Sequence, residues 1–486
     1  MTQTKTQQLD PQVFTVWSSE IEGRIDPSFY RPEFKILEKA FVDGKYQVKT
    51  LKDIAEKISS GATPLSGGDA YTNKEEGIPF IRSGDINADK NINFDDLLYI
   101  KEDIHQKKLK SSQLKKGDVL IAIVGATIGQ VSLYDYDKEA NINQAIAMVR
   151  VNKDVNPEYV KEYLLSTIGQ NQLNKIKRPV ARANINLEEV GSIKIPLPPL
   201  SIQNKIVEMM AKAYQDKREK ETEAGKLLES IDTYVLDQLG IKISEIKDKF
   251  SFTVFSDEVV GKRIDPKAYL QKPKEILKAI KNSRFKTKPI SEIISQNIVG
   301  EWGEDPLFTE DIDDYILANV LRNTNFDNKF NLNLDNVAQR LILKEKFEKV
   351  KLQKGDILIE KSGGSPIQPV GRIAIFESNN KDFAFSNFLQ CFRVDKDECL
   401  PYYLFVYLKT IYNLGYMEYV QNQTTGIKNL IMDEYLSIPV VLPPLAIQNK
   451  IVEKINSYYS QAKRLKNEAN NNLQKAKEKV EQIILG

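Results

Sequence analysis

The sequence repeats itself, and this duplication restricts the possible folds more than any other feature. The segment FTVWSSEIEGRIDPSFY, which begins at Phe14, reappears as FTVFSDEVVGKRIDPKAY at Phe252. KKGDVLIA recurs 238 residues later as QKGDILIE, and IPLPPLSIQNKIVE recurs 245 residues later as VVLPPLAIQNKIVE. Because three motifs return in the same order at nearly one spacing, the chain is a tandem duplication, and both copies are expected to fold alike.

Each copy contains the same succession of predicted elements. A short helical pattern, EFKILEKAF or KEILKAIKN, is followed by apolar runs rich in β-branched and aromatic residues. The runs are VLIAIVG, VSLYD and AIAMVRV in the first copy and ILIEKSG, RIAIFE and FLQCFRV in the second. Short runs of this kind, separated by turn-forming residues, are typical of strands. The sequence therefore predicts two strand-rich mixed α/β domains, of the α+β class.

A long helix is predicted after each Leu-Pro-Pro. The prolines fix an extended entry and Ser201 is a suitable N-cap, so the helices should begin near residues 201 and 446. Apolar residues then recur at steps of three and four, and Gly240 ends the first helix. At about 1.5 Å per residue, each helix would be roughly 60 Å long. The narrow apolar stripe predicts that the helices pair as an antiparallel coiled coil around a pseudo-twofold axis; alternatively, each packs on its own domain.

The length of 486 residues favours two or three domains over a single hydrophobic core. The motifs divide the chain into an N-terminal segment (1–41), a first domain (42–196), a first long helix (197–240), a linking segment that repeats the N-terminal motif (241–284), a second domain (285–441) and a second long helix (442–486).

Composition narrows the functional classes. No apolar run approaches the roughly 18 residues that span a bilayer, and MTQTKTQQLD is unlike a signal peptide, so a cytoplasmic protein is expected. Cys391 and Cys399 are too few for a disulfide framework. The single histidine, His105, stands in a Lys-rich stretch and is expected at the surface, so no metal site is predicted. The formal net charge of +2 means that any basic surface must be local.

No familiar catalytic motif occurs in the sequence. It contains no G-x-x-x-x-G-K-[ST], no G-x-G-x-x-G and no G-x-S-x-G, and the Asn/Asp-Pro-Pro-aromatic signature of amino-methyltransferases is missing. The acidic pairs Glu75-Glu76 and Asp95-Asp96 stand in polar surroundings and indicate a solvated face. We therefore expect a protein that has no catalytic site of its own.

The first copy contains the segments SGATP, GIPFIRSGDI, KKGDVLIAIVGATIGQ, NINQAIAMVR and ANINLEEVGSIKIPLPPLSIQNKIVE. The second copy keeps GDILIE, SNFLQCFRV and VVLPPLAIQNKIVE. It has VGEWGEDP and YILANVLRN where the first copy has SGATP and IPFIRSGDI. Through these segments, and over nearly its whole length, the chain resembles the specificity subunits of Type I restriction-modification enzymes.

The resemblance implies two target-recognition domains separated by two long antiparallel helices. Each domain would read one half of a bipartite site in double-stranded DNA, and the helix length would set the gap between the halves. The resemblance also implies no cofactor in this chain. S-adenosylmethionine and ATP would be bound by the partners, which are two DNA methyltransferase subunits and further restriction and translocase subunits.

Base-reading contacts are expected from Arg, Lys, Asn, Gln and hydroxyl side chains in loops, although any one of these residues could equally be plain surface. In the first copy the candidates are Ser60, Thr63, Arg82, Lys175, Lys177, Arg178, Arg182 and Asn184. In the second copy they are Lys361, Ser362, Ser365, Gln421, Asn422, Gln423, Thr424, Thr425 and Lys428.

Two other functions stay open from the residues alone. The near-neutral charge favours a duplicated scaffold that binds two copies of a protein partner and reads no DNA sequence. The other is an enzyme of an unfamiliar type.

Overall fold

The computed structural model describes residues 14–21, 24–64, 69–86, 92, 94–178, 183–243, 251, 253–259, 266–307, 313–363, 368–424 and 426–485. The chain divides into two compact units, Met1–Thr222 with Leu465–Gly486, and Glu223–Arg464. Each unit therefore combines one strand-rich domain with parts of both long helices.

The first unit alternates helices with short strands. Its helices are α1 (Pro32–Asp43), α2 (Leu51–Ile54), α3 (Pro157–Leu165), α4 (Thr167–Ile176), α5 (Leu187–Gly191), the first part of α6 (Leu200–Leu239) and the last part of the C-terminal helix, α13 (Leu445–Leu485). Its strands are β1 (Val48–Thr50), β2 (Ala55–Ser60), β3 (Tyr71–Thr72), β4 (Ile78–Ile81), β5 (Leu98–Ile100), β6 (Asp118–Ala122), β7 (Val131–Tyr134), β8 (Asn141–Ile142), β9 (Ile146–Val151) and β10 (Lys194–Pro196).

The main sheet of the first unit has the strand order β2-β9-β6-β7 and is antiparallel throughout. Strand β6 is buried along its whole length, because alternate side chains point to opposite faces and both faces are covered. Val119 and Ile121 pack with Tyr159 and Tyr163 of α3, whereas Leu120 packs toward the second sheet. That second sheet has the order β3-β5-β4-β8, with β4 and β8 parallel.

The second unit repeats this plan. Its helices are the last part of α6, α7 (Ser256–Val259), α8 (Gln271–Lys281), α9 (Ile290–Ile293), α10 (Lys344–Val350), α11 (Pro401–Asn413), α12 (Met432–Leu436) and the first part of α13 (Leu445–Leu485). Its strands are β11 (Thr287–Pro289), β12 (Ile294–Val299), β13 (Tyr315–Leu321), β14 (Ala338–Leu343), β15 (Ile357–Glu360), β16 (Ser362–Gly363), β17 (Ile373–Ile375), β18 (Phe383–Phe385), β19 (Leu389–Val394), β20 (Gln421–Thr424), β21 (Ile427–Leu430) and β22 (Pro439–Val441).

The sheets of the second unit correspond to those of the first. The main sheet β12-β19-β15-β17 matches β2-β9-β6-β7, and β14-β13-β18 matches β5-β4-β8 with the same parallel pair at its end. The pair β11-β22 matches β1-β10. The small sheet β16-β21-β20 has no counterpart among the described strands of the first unit. The prediction of two strand-rich domains with one fold is confirmed.

The repeated Lys-Gly-Asp motif forms the turn that leads into the central strand of each main sheet. Gly117 and Gly355 have φ of 93° and 97°, in the left-handed region that glycine adopts without strain. The next residue closes the turn: Asp118 accepts a hydrogen bond from the backbone N–H of residue 115 at 2.7 Å, and Asp356 accepts one from that of residue 353 at 2.8 Å. The motif recurs because each copy needs this same turn.

The long helices begin at Leu200 and Leu445, one residue before the predicted starts. In the first unit, Asn472 of α13 donates to Asp216 of α6 at 2.8 Å, and Glu468 interacts electrostatically with Lys220. Residues later in α6 thus contact residues earlier in α13, which means that the two helices run in opposite directions. The predicted antiparallel pairing of the helices is confirmed.

The same pairing occurs in the second unit, where the rings of Tyr234 and Tyr458 meet edge to face with centroids 5.9 Å apart. The helices also pack on the domains, since Ile206 and Met210 of α6 lie in the core of the first unit. Both of the packing arrangements considered from the sequence therefore occur. No helix among the described residues has the length and apolar composition that crossing a membrane requires.

The prediction that His105 lies at the surface was wrong. The imidazole is only 1% exposed. It belongs to a single π-helical turn, Ile104–Lys108, that directs Ile104 and His105 inward and residues 106–108 outward. The lysines that suggested a surface position are indeed exposed, but they cover the outer side of the turn.

Candidate functional site

Three strand ends meet at one edge of the first unit. Strands β4 and β8 are parallel, with Ile81 opposite Ile142, and the backbone N–H of Asn143 donates to the carbonyl of Ile81 at 3.0 Å. Strand β2 ends at Ser60, and a Cβ atom on Gly61 would lie 1.6 Å from the carbonyl oxygen of Ile142. Only glycine allows this approach, so the segments that follow β2, β4 and β8 lie side by side.

Polar side chains occupy this edge. The Thr63 hydroxyl contacts the side-chain oxygen of Gln144. Arg82 follows β4 directly, and its guanidinium group is held by Asp85 at 3.1 Å while 45% of its side chain stays exposed. The hydrogen bonds to Asp85 raise the pKa of Arg82. The edge therefore presents an oriented and partly exposed guanidinium group.

The main sheet adds two segments to the same edge. Ala122 at the end of β6 lies opposite Ile146 at the start of β9, so the chain leaves β6 close to Gln144. The next residues pair with the loop after α4, through an isolated β-bridge between Val124 and Asn184. Asn184 is thereby fixed at the edge through its backbone.

Gln130 links the loop after β6 to the turn that carries Arg82. Its side-chain nitrogen, in the orientation that satisfies both partners, donates to the carbonyls of Ile86 at 3.1 Å and Ser83 at 3.2 Å. We call the combined surface of residues 60–64, 82–86, 124–130, 143–144 and 183–184 the first loop edge.

Four of the candidates predicted in the first copy lie together on the first loop edge: Ser60, Thr63, Arg82 and Asn184. Arg178 lies beside it, since its backbone N–H donates to the carbonyl of Asn184 at 3.2 Å and its guanidinium group pairs with Glu189 at 3.1 Å. Lys177 caps the end of α4. Arg182 falls outside the described residues. DNA contact by each of these residues remains a prediction.

Lys175 faces the N-terminal segment. Its ammonium group pairs with Glu38 of α1 and lies 4.8 Å from the centroid of the Phe29 ring. Arg24 of the repeated Arg-Ile-Asp-Pro motif anchors the same segment, with hydrogen bonds to Asp26, to the carbonyl of Ile176 at 2.9 Å and to a carboxylate of α5. These contacts dock the N-terminal segment on the first domain.

The second unit forms the same edge from equivalent strands. Leu321 of β13 lies opposite Phe385 of β18, and the backbone N–H of Ser386 donates to the carbonyl of Leu321 at 2.8 Å. A Cβ atom on Gly300 would lie 2.2 Å from the carbonyl oxygen of Ser386. Gly300 thus corresponds to Gly61, and the residue after β13, Arg322, corresponds to Arg82.

An aromatic and basic cluster that the sequence analysis missed lies on this edge. The guanidinium carbon of Arg340 lies 4.4 Å from the centroid of the Trp302 ring, and that of Arg322 lies 6.0 Å from it. Asp305 pairs with Arg340 at 2.8 Å. The equivalence of Arg322 with Arg82 could have been found from the arginines of IPFIRSGDI and YILANVLRN; the stacking on Trp302 depends on tertiary structure.

Most of the second-copy candidates come together in the small sheet β16-β21-β20. Ser362 lies opposite Asn429, and Asn422 also lies opposite Asn429, while Lys428 lies opposite Gly363. The Ser362 hydroxyl donates to the side-chain oxygen of Asn429 at 2.7 Å. The backbone places Gln423 and Thr424 on β20, whereas Ser365 and Thr425 lie outside the described residues.

Lys361 and Gln421 are the more interior members of this group. Partial burial lowers the pKa of Lys361, whose backbone N–H donates to the carbonyl of Phe388 at 3.0 Å. Gln421 is 4% exposed and accepts a hydrogen bond from the backbone N–H of Val370 at 3.1 Å. We call residues 300–302, 322–325, 361–363, 386–388 and 427–430 the second loop edge.

Asn429 was also missed. Its pairing with Ser362 corresponds to the bridge between Asn184 and Val124 in the first unit. The 245-residue offset of the Leu-Pro-Pro motif, applied to Asn184, leads directly to Asn429. An equivalent pair of asparagines therefore lies at the same position on the two edges.

Known proteins match this chain in sequence. The family model described as Type I restriction modification DNA specificity domain matches residues 44–229 and 276–475. The type I restriction enzyme MjaX specificity subunit of Methanocaldococcus jannaschii is 33% identical over 190 residues, which cover 38% of this chain and 43% of that protein. The EcoBI specificity subunit of Escherichia coli is 33% identical over 150 residues, 30% of this chain and 31% of that protein. The matched stretches span less than half the length of these relatives.

The fold matches as well. A chain from a solved structure of a type I R-M system aligns with a TM-score of 0.54 and 16% identity, covering 91% of this chain and 96% of that one. At this identity the likeness concerns the fold alone. Since the family model matches twice and covers most of the sequence, the chain belongs to the family of the Type I restriction-modification DNA specificity domain.

Proposed function

We propose that this chain is the sequence-specific DNA-recognition subunit of a type I restriction-modification system, and that each loop edge reads one half of a bipartite site. The observation that carries the proposal is the equivalence of Arg82 and Arg322, which follow matching parallel strands in two copies of a DNA specificity domain. An arginine can donate two hydrogen bonds to the O6 and N7 atoms of guanine in the major groove.

Differences between the edges support separate half-sites. Thr63, which contacts Gln144, stands where the second unit has Trp302 against two arginines. The second edge also carries Lys428 of the small sheet, beside Asn422 on the neighbouring strand β20. Because base identity is read by the pattern of donors, acceptors and apolar groups, edges with one backbone plan and different side chains would select different bases.

We infer that the chemistry belongs to partner subunits. The sequence holds none of the nucleotide-binding or amino-methyltransferase motifs sought above, so S-adenosylmethionine and ATP would be bound by methyltransferase and by restriction and translocase subunits. The N-terminal motif at Phe14 recurs at Phe252, and a duplicated motif suits two copies of one partner. This assignment makes two methyltransferase subunits for each chain the expected complex.

An exchange of one domain tests the proposal. Residues 42–196 would be replaced by those of a relative, the complex with methyltransferase subunits would be expressed, and methylated adenines would be mapped across the genome. We expect one half of the methylated site to change and the other half to stay the same. A change in both halves, with the chimera folded and active, would contradict the proposal.

A competition experiment separates DNA reading from the scaffold alternative. The complex would be bound to its methylated-site duplex and challenged with random duplex DNA of the same length. Family membership disfavours a scaffold, and preferential retention of the specific duplex is expected. Equal competition by every sequence would support the scaffold instead.

A further inference from the structure

A buried polar group in the first unit takes no part in the proposed DNA reading. The imidazole of His105 is 1% exposed, and its Nδ1 atom lies within hydrogen-bonding distance of the side-chain oxygen of Asn141. Asn141 is itself fully buried and donates to the carbonyl of Leu109 at 2.9 Å and to the hydroxyl of Ser112 at 3.1 Å. This network fixes the position of the ring.

The network also fixes the tautomer of the ring. A carbonyl oxygen can only accept, so the contact with Leu109 requires that the side-chain nitrogen of Asn141 faces Leu109. Its side-chain oxygen then faces His105, and Nδ1 of the imidazole must carry the proton that it donates. In the neutral ring, the lone pair is therefore on Nε2. A histidine that binds a metal through one ring nitrogen usually donates a hydrogen bond from the other ring nitrogen in this way.

Two carboxylates lie close to the imidazole ring. The Oε2 atom of Glu139 lies 3.4 Å from Nε2 of His105, and a carboxylate oxygen of Glu102 completes a group whose ligand atoms all lie within 4.8 Å of one another. Zinc with bonds of about 2.0–2.1 Å in tetrahedral geometry separates its ligand atoms by about 3.3 Å. The distance from His105 to Glu139 already fits one edge of that tetrahedron, and Glu102 is exposed and can adjust.

The fold does not require this polar cluster. The backbone N–H of Leu114 donates to the carbonyl of residue 140 at 3.0 Å, and that of Leu352 donates to the carbonyl of residue 383 at 2.9 Å. Residue 140 of the first unit therefore corresponds to residue 383 of the second unit. In that alignment the residue after 383, Ala384, stands where the first unit has Asn141, and both are fully buried. An apolar core therefore serves the same strand in the second unit, and the cluster of the first unit calls for another explanation.

We propose that Glu102, His105 and Glu139 bind a zinc ion. One imidazole nitrogen and two carboxylate oxygens form a mixed donor set that suits zinc better than calcium or magnesium, which prefer oxygen ligands throughout. Water would fill the remaining position, and the exposed side chains of Glu102 and Glu139 leave an entry path. The ion would join the turn Ile104–Lys108 to the loop before β8, the strand that leads into the first loop edge.

Zinc titration of the full chain tests this proposal. The protein would carry no polyhistidine tag and would be treated with a chelator, and Zn²⁺ binding would be followed by calorimetry and by the melting temperature. One zinc per chain and a higher melting temperature are expected. X-ray absorption at the zinc edge should show nitrogen and oxygen ligands without sulfur, because Cys391 and Cys399 are both buried in the second unit.

Variants decide whether the bound zinc occupies these residues. Glu139→Gln changes an exposed side chain and should weaken binding by about tenfold or more, a loss at least as large as that for outer-shell ligands. His105→Gln should abolish binding. Glu76→Gln alters another exposed carboxylate of the same unit and should bind zinc like the unaltered chain. Failure to bind zinc, or binding that survives both Glu139→Gln and His105→Gln, would overturn the proposal and leave His105 as a histidine paired with Glu139.

Discussion

Arg150 donates two hydrogen bonds to the carboxylate of Asp118, at 2.8 and 2.7 Å, on the central strands of the first unit. The side chain of Asp118 is 1% exposed and that of Arg150 is 19% exposed. Arg393 and Asp356 form the same pair in the second unit, at 3.0 and 3.2 Å. The aspartate of the repeated Gly-Asp turn thus also ties β6 to β9, and its counterpart ties β15 to β19.

Loss of this carboxylate should destabilise the first unit. Asp118→Asn removes the carboxylate charge that pairs with the guanidinium group of Arg150, and breaking a buried pair of this kind costs about 3 kcal/mol or more of unfolding free energy. Chemical denaturation of the full chain measures the loss. Asp154→Asn, an exposed aspartate of the same unit, is the matched control and should change stability little. A loss of less than about 1 kcal/mol for Asp118→Asn would show that the pair is dispensable.

The first unit should also depend on residues of the second long helix. Leu473 is buried in the core that contains Ile206 and Met210. Leu473→Ala should lower the unfolding free energy of the first unit by about 3 kcal/mol, through lost apolar burial and a cavity. Hydrogen exchange in β6 and β9 would report the effect on that unit. Lys475→Ala, an exposed neighbour on α13, should leave the exchange unchanged; equal effects of the two variants would contradict the packing.

The N-terminal segment should be released by Arg24→Ala. Arg24 is 18% exposed in its side chain and binds Asp26 as well as the carbonyl of Ile176. Losing these charge-assisted hydrogen bonds should weaken docking by about 1–3 kcal/mol. Faster hydrogen exchange across α1 and α4 is the expected result. Arg31→Ala, whose side chain is 50% exposed, is the control and should not change the exchange.

Acid should release the same segment. The side-chain hydrogen bonds from Arg24 lower the pKa of Asp26 below its ordinary value of 3.8. A carboxylate with a lowered pKa stabilises the folded state fully above its unfolded value, and this stabilisation is lost as the pH falls through the folded value. Docking should therefore weaken below pH 3.8, as measured by exchange in α1 corrected for intrinsic rates, and Arg24→Ala should remove this dependence. A pH dependence that persists in that variant would exclude Asp26 as its source.

The proposed DNA contacts lead to a prediction for each half-site. Arg82→Ala should weaken binding by about 1–3 kcal/mol and relax selection in one half, and Arg322→Ala should do the same in the other half. Anisotropy titrations with duplexes that carry one randomised half would measure this in the complex with methyltransferase subunits. Lys153→Ala is the control, because Lys153 follows β9 at the end of the sheet opposite the first loop edge. Loss of selection in both halves from either arginine variant would contradict separate reading.

The architecture could be predicted from the sequence because its determinants are local. The turn at Gly117 recurs at Gly355, and the Leu-Pro-Pro motif precedes both long helices within a residue of the expected start. The apolar steps along those helices indicated their pairing. Each of these signals depends on residues that are close in sequence, so it can be recognised without knowledge of tertiary contacts.

The candidate site could be predicted only in part. Ser362 and Asn422 were chosen as polar loop residues, and they do share a sheet, but the sheet itself arises from pairing across 67 residues, from Ser362 to Asn429. The stacking of arginines on Trp302 was missed because Arg322 and Arg340 are distant from it in sequence. The burial of His105 was missed because its lysine neighbours lie on the outer side of one turn. Long-range pairing and side-chain direction decide these features.

The two units cannot be completed in the order in which they are translated. The second unit, Glu223–Arg464, is continuous, whereas the first needs Leu465–Gly486 in addition to Met1–Thr222. Chains fold as they emerge from the ribosome, with earlier regions first. Here the half that is translated first is completed last, because Leu473, Val480 and Ile484 join the core that contains Ile206 and Met210 only after the second half has emerged. A nascent chain stalled before Leu473 would lack this part of the core, and the apolar surface left exposed in the first unit would make it a substrate for chaperones.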